Sequence, residues 1–290
     1  MKDYFGYKSK KCIVTGASSG IGKAVCEMLV DMGAEVYALD LNECNVKGIK
    51  EFKKVNLTDK KEIDETFKNL PEKIDSFFGV AGLSGAKTDY ITTFNCDYTS
   101  NFYITEKYLK ERMSEGSSIL YVSSTAGLNW KKYKKEQDRI VNLKTWEEVE
   151  AKIKEYNKYS GTMAYMYAKR CISQYAAEKS VELGKRRIRV NCVMPGSTNT
   201  GMKDEFEKMA GGKEALLDET GVAHRLATSE EMAGPIVFLN SDMASFVSGV
   251  DFCVDASDHV LKELNLKKDR ENISATNKII LSLATKMTNK

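Results

Sequence analysis

A tyrosine and a lysine four residues apart on a helix share one face, close enough for the ammonium to stabilise a phenolate and make the phenol an acid–base group. The chain contains five such pairs: Tyr4/Lys8, Tyr7/Lys11, Tyr103/Lys107, Tyr165/Lys169 and Tyr175/Lys179. Spacing selects none of them, so position has to. The first two precede or enter the first strand-like run, Tyr103 lies on a helix ahead of the fifth strand, and Tyr175 sits far down its helix. Tyr165/Lys169 opens the helix after the fifth strand, beside the carboxyl edge where open α/β sheets bind ligands. At the end of that strand, Val122-Ser123-Ser124-Thr125-Ala126-Gly127 offers a hydroxyl beside a glycine-containing turn. A tyrosine acid–base, a lysine activator and a serine donor are the parts needed to move a proton on and off an alcohol oxygen.

A second set of residues suits a phosphate. Thr15-Gly16-Ala17-Ser18-Ser19-Gly20-Ile21-Gly22 stands directly after the first strand and opens a helix. Glycines at 16, 20 and 22 permit a tight turn, close approach to a pyrophosphate and close helix packing, while the helix N-terminus attracts the anion. The second strand ends at Asp40, at the distance from the loop where a carboxylate accepts hydrogen bonds from an adenosine ribose. The same carboxylate repels a 2′-phosphate, and neither Leu41, Asn42 nor Ala17 to Ser19 supplies a cation. NAD is therefore expected rather than NADP. A free phenol titrates near pH ~10, so lowering it by about two to three units takes roughly 3 to 4 kcal/mol, which Lys169 and a cationic nicotinamide ring are expected to supply.

These groups need a scaffold. Short apolar runs of strand length recur between stretches of helical periodicity, the alternation of βαβ units around a parallel sheet. Strands are expected at Cys12 to Thr15, Val36 to Asp40, Phe52 to Leu57, Asp75 to Ala81, Ser118 to Ser123, Ile188 to Met194 and Asp251 to Asp255. Helices are expected at Ile21 to Met32, Lys60 to Leu70, Tyr98 to Met113, Met163 to Leu183 and Ser229 to Ser241, the last opened by Thr228 and Glu231 at capping-box spacing. The fold class is α/β: a Rossmann-type doubly wound sheet of seven mostly parallel strands with helices on both faces. A lysine-rich insert at about 128–161 has helical spacing in Trp146, Val149 and Ile153, and is expected to shape the substrate mouth or a subunit interface. The pattern reads as one dinucleotide-binding and catalytic domain, 1–258, followed by an extension, 259–290, with an apolar patch at Ile279 to Leu283.

Composition excludes other classes. The 290 residues are 42% hydrophobic and carry 44 Lys+Arg against 41 Asp+Glu, a formal charge of +3, too balanced for a nucleic-acid binder. No run of about 18 apolar residues suits a bilayer, and Met1 to Lys11 has no apolar h-region, so a cytoplasmic protein is expected. The seven cysteines form no CxxC pair and are expected to be reduced. His224 and His259 lie far apart without evident ligand-type partners, and no metal is expected.

TGxxxGIG, the SSxxG turn and YxxxK, in this order, resemble the short-chain dehydrogenase/reductase family. The likeness extends through Ala81-Gly82 and Asn191 to Thr200 and covers roughly residues 9–258. It implies Tyr165 as acid/base, Lys169 as its activator and a ribose ligand, Ser124, three residues before Gly127, as the substrate-orienting donor, and Leu57, Thr198 and Thr200 at the cofactor. It also implies that Asp97 stands where the family has a catalytic asparagine that helps hold a water near the lysine, with Asn95 and Asn101 close in register. Other departures are Gly79-Val80 ahead of Ala81-Gly82, Asn56 for an adenine-facing aspartate, and Asp255-Ala256-Ser257 for a late Asp-Gly-Gly. Asn56 is expected to meet the adenine amino group through its carbonyl.

The long stretch between Ser124 and Tyr165, with Ala81-Gly82-Leu83-Ser84-Gly85, is similar to the bacterial 3α-hydroxysteroid dehydrogenase/carbonyl reductase branch. That resemblance implies a steroid or bile-acid hydroxyl, with the 3-position favoured, in a cleft lined by Leu128, Trp130, Met163, Met202, Phe206 and Met209. It also implies a homodimer or homotetramer. The alternatives are a general carbonyl reductase or alcohol dehydrogenase, and a non-catalytic NAD-binding regulator.

Overall fold

The computed structural model describes residues 3–267; the apolar patch expected in the tail lies outside them. Seven strands, β1 (Lys11–Thr15), β2 (Glu35–Asp40), β3 (Glu51–Lys54), β4 (Ser76–Gly79), β5 (Ser118–Val122), β6 (Arg189–Pro195) and β7 (Asp251–Val254), form one sheet in the order β3-β2-β1-β4-β5-β6-β7. Every neighbouring pair is parallel, so the sheet is wholly rather than mostly parallel. The chain winds outward from β1 to β3 and then returns to β4 on the other side of β1. The carboxyl ends of β1 and β4 consequently face loops that part in opposite directions, which opens a crevice there.

The helices follow in chain order as α1 (Gly20–Asp31), α2 (Lys60–Lys68), α3 (Tyr90–Phe94), α4 (Ser100–Ile104), α5 (Lys110–Arg112), α6 (Lys134–Val141), α7 (Trp146–Lys154), α8 (Gly161–Gly184), α9 (Lys203–Ala210), α10 (Lys213–Leu217), α11 (Ser229–Asn240) and α12 (Asp258–Glu263). Two-residue alternation sorts the strands between two cores. Ile13, Phe77, Ile119 and Tyr121 join the helices α2, α3, α4, α6, α7 and α8, whereas Val14, Phe78, Leu120 and Val122 join α1 and α11.

Where the boundaries differ from expectation, a side chain has captured the backbone. β3 stops at Lys54 because the Asn56 carbonyl accepts from the Thr58 N–H (3.0 Å), closing an Asx turn. β4 stops at Gly79 because the Thr15 hydroxyl accepts from the N–H of Val80 (3.1 Å) and Ala81 (3.2 Å). The helix expected from Tyr98 begins earlier, at Tyr90, because Asp89 caps it by accepting from the Thr92 N–H (2.8 Å). It then runs through two π-helical turns, Asn95–Thr99 and Thr105–Leu109. The α11 capping box of Thr228 and Glu231 is present as expected.

The insert is helical, as expected, but it lies elsewhere than at the mouth. No residue between Ala126 and Tyr165 lines the crevice. Instead α6 and α7 pack on α8 and α3, burying Ile140, Trp146, Val149 and Ile153, and Trp146 meets Tyr103 edge-on at 5.6 Å.

Candidate active site

The crevice at the carboxyl edge is a cavity of about 550 Å³. At one end, Gly16 stands at φ +71° and a Cβ there would lie 2.8 Å from the Ala81 backbone, so the first glycine is what lets the loops after β1 and β4 meet. Ser19 caps α1 without a side-chain hydrogen bond, and no acid occupies the first turn. The free N–H groups of α1 therefore face the cavity between Ser18, Ser19, Gly20, Ile21 and Gly22. Asp40 is fixed beside them: its carboxylate accepts from the Ser18 N–H (3.0 Å) and the Asn42 N–H (2.8 Å). Asn56 and Leu57 also line this end, but Asn56 does not offer its carbonyl as expected, because the Thr58 N–H and hydroxyl (2.8 Å) both donate to it. Ala81, Gly82, Thr198 and Thr200 complete the walls.

At the other end the structure separates the five tyrosine–lysine pairs. Tyr7 is buried and donates to the Val237 carbonyl (2.7 Å). Tyr103 and Lys107 both donate to Asp64 (2.7 and 2.8 Å), and Tyr175 donates to Glu106 (2.8 Å) beside Lys179. None of these, nor Tyr4 or Lys8, lines the cavity; Tyr165 and Lys169 do, with Ser124. The two serines differ in their bonds. Ser123 donates to the Lys169 carbonyl (2.8 Å) inside the core, whereas Ser124 accepts from the Ala126 N–H (3.2 Å) at the cavity wall and lies near enough to Tyr165 to favour its ionised form.

Lys169 is almost fully buried, with its Nζ 3.1 Å from the Val122 carbonyl and 3.4 Å from Asp97 Oδ1. Burial alone would pull its pKa down, but Asp97 and Tyr165 more than reverse this, so it stays charged. Asp97 comes from the first π-helical turn. Its Oδ1 also accepts from the Leu83 N–H (3.0 Å), while its Oδ2 is buried without a partner. Burial pushes its carboxyl up to about 6, against the pull of Lys169. Asn101 is not its substitute: its carboxamide faces Gly79 instead. Gly82 makes room for this pair, since a Cβ there would lie 2.7 Å from Asp97 Oδ1 and 3.2 Å from Lys169 Nζ. For Tyr165, burial raises the hydroxyl above its usual range, with Lys169 and Ser124 opposing and Asp97 adding to the rise. Lys169 thus lowers the phenol as expected, but in the protein alone it and Ser124 do not outweigh burial.

Met202, Phe206 and Met209 line the cleft as expected, on helices that the sequence pattern does not show. α9 and α10 form a lid whose Met202, Phe206, Met209 and Leu216 line the cavity, with Phe206 edge-on to Tyr165 at 5.7 Å. Glu205 latches the lid to the loop after β4 through Ser84 and Lys87 (2.6 Å). Leu128, Trp130 and Met163 do not line the cleft as expected; Trp130 is buried and donates to Asp251 (2.7 Å). His259, judged isolated, sits against Asp255 (2.8 Å) because the chain turns sharply between them.

The short chain dehydrogenase family model matches residues 10–134, and the enoyl-(acyl carrier protein) reductase model matches residues 128–256. Coniferyl-alcohol dehydrogenase of a Pseudomonas species is 30% identical over 251 residues, covering 85% of this chain and 95% of that protein. Dehydrogenase/reductase SDR family member 6 of Rattus norvegicus is 27% identical, covering 86% and 96%. Among solved structures, a putative 2-deoxy-d-gluconate 3-dehydrogenase from Agrobacterium tumefaciens with bound NADP has a TM-score of 0.69 at 20% identity, covering 89% of this chain and 100% of that one. The chain belongs to the short-chain dehydrogenase/reductase family. It is an oxidoreductase of alcohols and ketones that uses a nicotinamide dinucleotide. The residues present fit that group: a glycine loop where a side chain would clash with the Ala81 backbone, α1 N–H groups with no side-chain cap, and a carboxylate fixed beside them. No helix among the described residues is long and apolar enough to cross a membrane.

Proposed function

We propose that the protein is an NAD-dependent dehydrogenase of a cyclic, largely apolar secondary alcohol, with Ser124, Tyr165, Lys169 and Asp97 as its catalytic set. Asp40 is the observation that carries the choice of NAD. Its carboxylate is fixed by two backbone N–H groups at the cavity wall and followed by Leu41 and Asn42, so a 2′-phosphate would meet a charge of its own sign.

When bound, the dinucleotide supplies the hydride acceptor and a positive ring. The protein's residues handle the proton and the oxygen. Ser124 donates to the substrate oxygen, on which charge develops as the C–H bond breaks. Tyr165 takes the alcohol proton in oxidation and returns it in reduction. Lys169, held charged by Asp97, stabilises the phenolate, and Asp97 positions Lys169 without touching substrate.

For the substrate, the apolar lid of Met202, Phe206 and Met209 over Tyr165 supports a rigid hydrophobic ring system, and a hydroxysteroid or bile acid is the class we favour. The similarity to coniferyl-alcohol dehydrogenase favours a second reading, an aromatic allylic alcohol. Purified protein with NAD⁺ and a panel of 3-hydroxysteroids, bile acids and cinnamyl-type alcohols, read by absorbance of the reduced cofactor, separates these. Turnover of the aromatic alcohols alone would overturn the steroid reading, and comparable kcat/KM with NADP⁺ would overturn the cofactor assignment.

A further inference from the structure

At the sheet's far edge, outside the catalytic set, three different metal-ligating side chains converge. β7 delivers Cys253, and the chain then turns through Ala256 and Ser257, both left-handed (φ +48° and +69°), into α12. The turn folds His259 back over Asp255. The imidazole Nδ1 lies 2.8 and 2.9 Å from the two carboxylate oxygens, and the His259 N–H donates to Asp255 Oδ2 (2.8 Å). The thiol, carboxylate and imidazole ligand atoms all lie within 4.8 Å of one another. We propose that Cys253, Asp255 and His259 bind a zinc ion, with a solvent-facing fourth position.

The geometry is near what zinc takes. Donors at ~2.0 to 2.3 Å in a tetrahedron stand roughly 3.3 to 3.8 Å apart, so the cluster closes by about 1 Å at its widest and opens slightly between His259 and Asp255. The donor set is informative. A thiolate with an imidazole selects zinc over calcium or magnesium, which take oxygen. Thiolate and carboxylate together balance a dication. The nearby ammonium groups are occupied elsewhere, Lys262 and Lys267 both pairing with Asp258 (2.6 and 2.5 Å). A thiol carries its proton at neutral pH, so binding forms the Zn–S bond and releases one proton to solvent with no change of oxidation state. The Asp255 side chain is 2% exposed and packs against Gly196, which lines the cavity, whereas His259 is 27% exposed and leaves the ion a path in. A bound ion would fasten α12 to the edge strand, independently of hydride chemistry.

The test uses the untagged full-length chain, stripped with EDTA and titrated with zinc chloride, and separately with cobalt(II) chloride. Plasma mass spectrometry after desalting should find about one zinc per chain. Cobalt should produce a thiolate charge-transfer band, with one proton released per ion. Cys253→Ser should abolish the band, and His259→Gln should weaken binding at least tenfold, while both variants still bind the dinucleotide by fluorescence titration and so are folded. Substoichiometric uptake by the wild type, or equal uptake by folded Cys253→Ser, would overturn the site.

Discussion

Replacing Asp97 by asparagine keeps the shape of the side chain and removes only its charge, so it isolates an electrostatic effect at Tyr165. Asp97 Oδ1 lies 3.4 Å from Lys169 Nζ, which lies 5.5 Å from the Tyr165 ring centre, so the carboxylate is within about 9 Å of that ring. Unit charges ~9 to 12 Å apart at an effective dielectric of ~20 interact by roughly 1.4 to 1.8 kcal/mol, or about one pH unit. The sign follows from Asp97 being anionic above about pH 6, where it opposes a second negative charge on Tyr165. The ascending limb of kcat/KM for alcohol oxidation, set by ionisation of Tyr165, should therefore move about one unit lower in Asp97→Asn. On the rising limb the variant should be up to about tenfold faster, and its plateau should be slightly lower because the base is weaker. Below about pH 6, where the wild-type carboxyl is itself neutral, the two profiles should converge. The assay is initial-rate kinetics at saturating dinucleotide from pH 5 to 10.5. A limb that stays in place or moves upward would refute the reasoning, because it would mean that Lys169 rather than Tyr165 feels the change.

The remaining perturbations probe separate parts of the molecule. Asp40→Ala with Leu41→Arg should shift preference toward NADP by at least tenfold in kcat/KM, through lost repulsion and an added phosphate partner; unchanged cofactor ratios would reject the role of Asp40. Tyr165→Phe should retain dinucleotide binding and lose more than about 99% of turnover, whereas Tyr175→Phe, which loses only its bond to Glu106, should stay within about threefold of wild type; the reverse pattern would mean the wrong pair had been chosen. Glu205→Gln should loosen the lid and raise substrate KM about threefold to tenfold with little change in dinucleotide Kd; an unchanged KM would show that the latch does not hold the lid. Trp146→Ala should cost roughly 3 to 5 kcal/mol and lower Tm by about 10 °C, with dinucleotide Kd unaltered; a fall below about 2 °C would show that the insert is not part of the core.

Much of this site was legible because its residues sit at fixed offsets from strand ends. A glycine loop follows β1, an acid ends β2, and a tyrosine–lysine pair opens the helix after β5, so strand positions and a few residue types were enough to place Gly16, Asp40, Tyr165 and Lys169 at the cleft, while Ser124 was separated from Ser123 only by the family's turn. What was not legible depends on long-range capture of polar groups. Thr15 gives no sign in the sequence that its hydroxyl will hold the turn at Val80 and Ala81. Asn56 reads as a free amide until Thr58 is seen to claim its carbonyl. Met202, Phe206 and Met209 were legible as cleft residues, but the lid's helices were not, because α9 buries no residue completely and its apolar side chains cover a cleft rather than a core, which weakens the helical signal. Asp255 and His259 are four positions apart, yet a turn through two left-handed residues that are not glycine is what brings the imidazole over the carboxylate.

The insert shows how an addition remote from the cleft still bears on the chemistry. α8 presents Tyr165 and Lys169 to the cavity, and its opposite side is covered by α6. The Tyr167 hydroxyl donates to the Glu136 carbonyl (2.7 Å) and the Gln174 carboxamide donates to Asp138 (2.6 Å), so hydrogen bonds join the insert to α8 two residues beyond Tyr165 and again farther along. At its start, α8 is crossed by the loop after β4, where a Cβ on Gly85 would overlap the Gly161 backbone. The helix that carries the proposed acid–base pair is thus held by the sheet, by the loop at its N-terminus and by the insert on its back. A phenol whose pKa depends on an ammonium, a carboxylate and a serine hydroxyl within a few ångströms needs that constraint, because small displacements change all three interactions together.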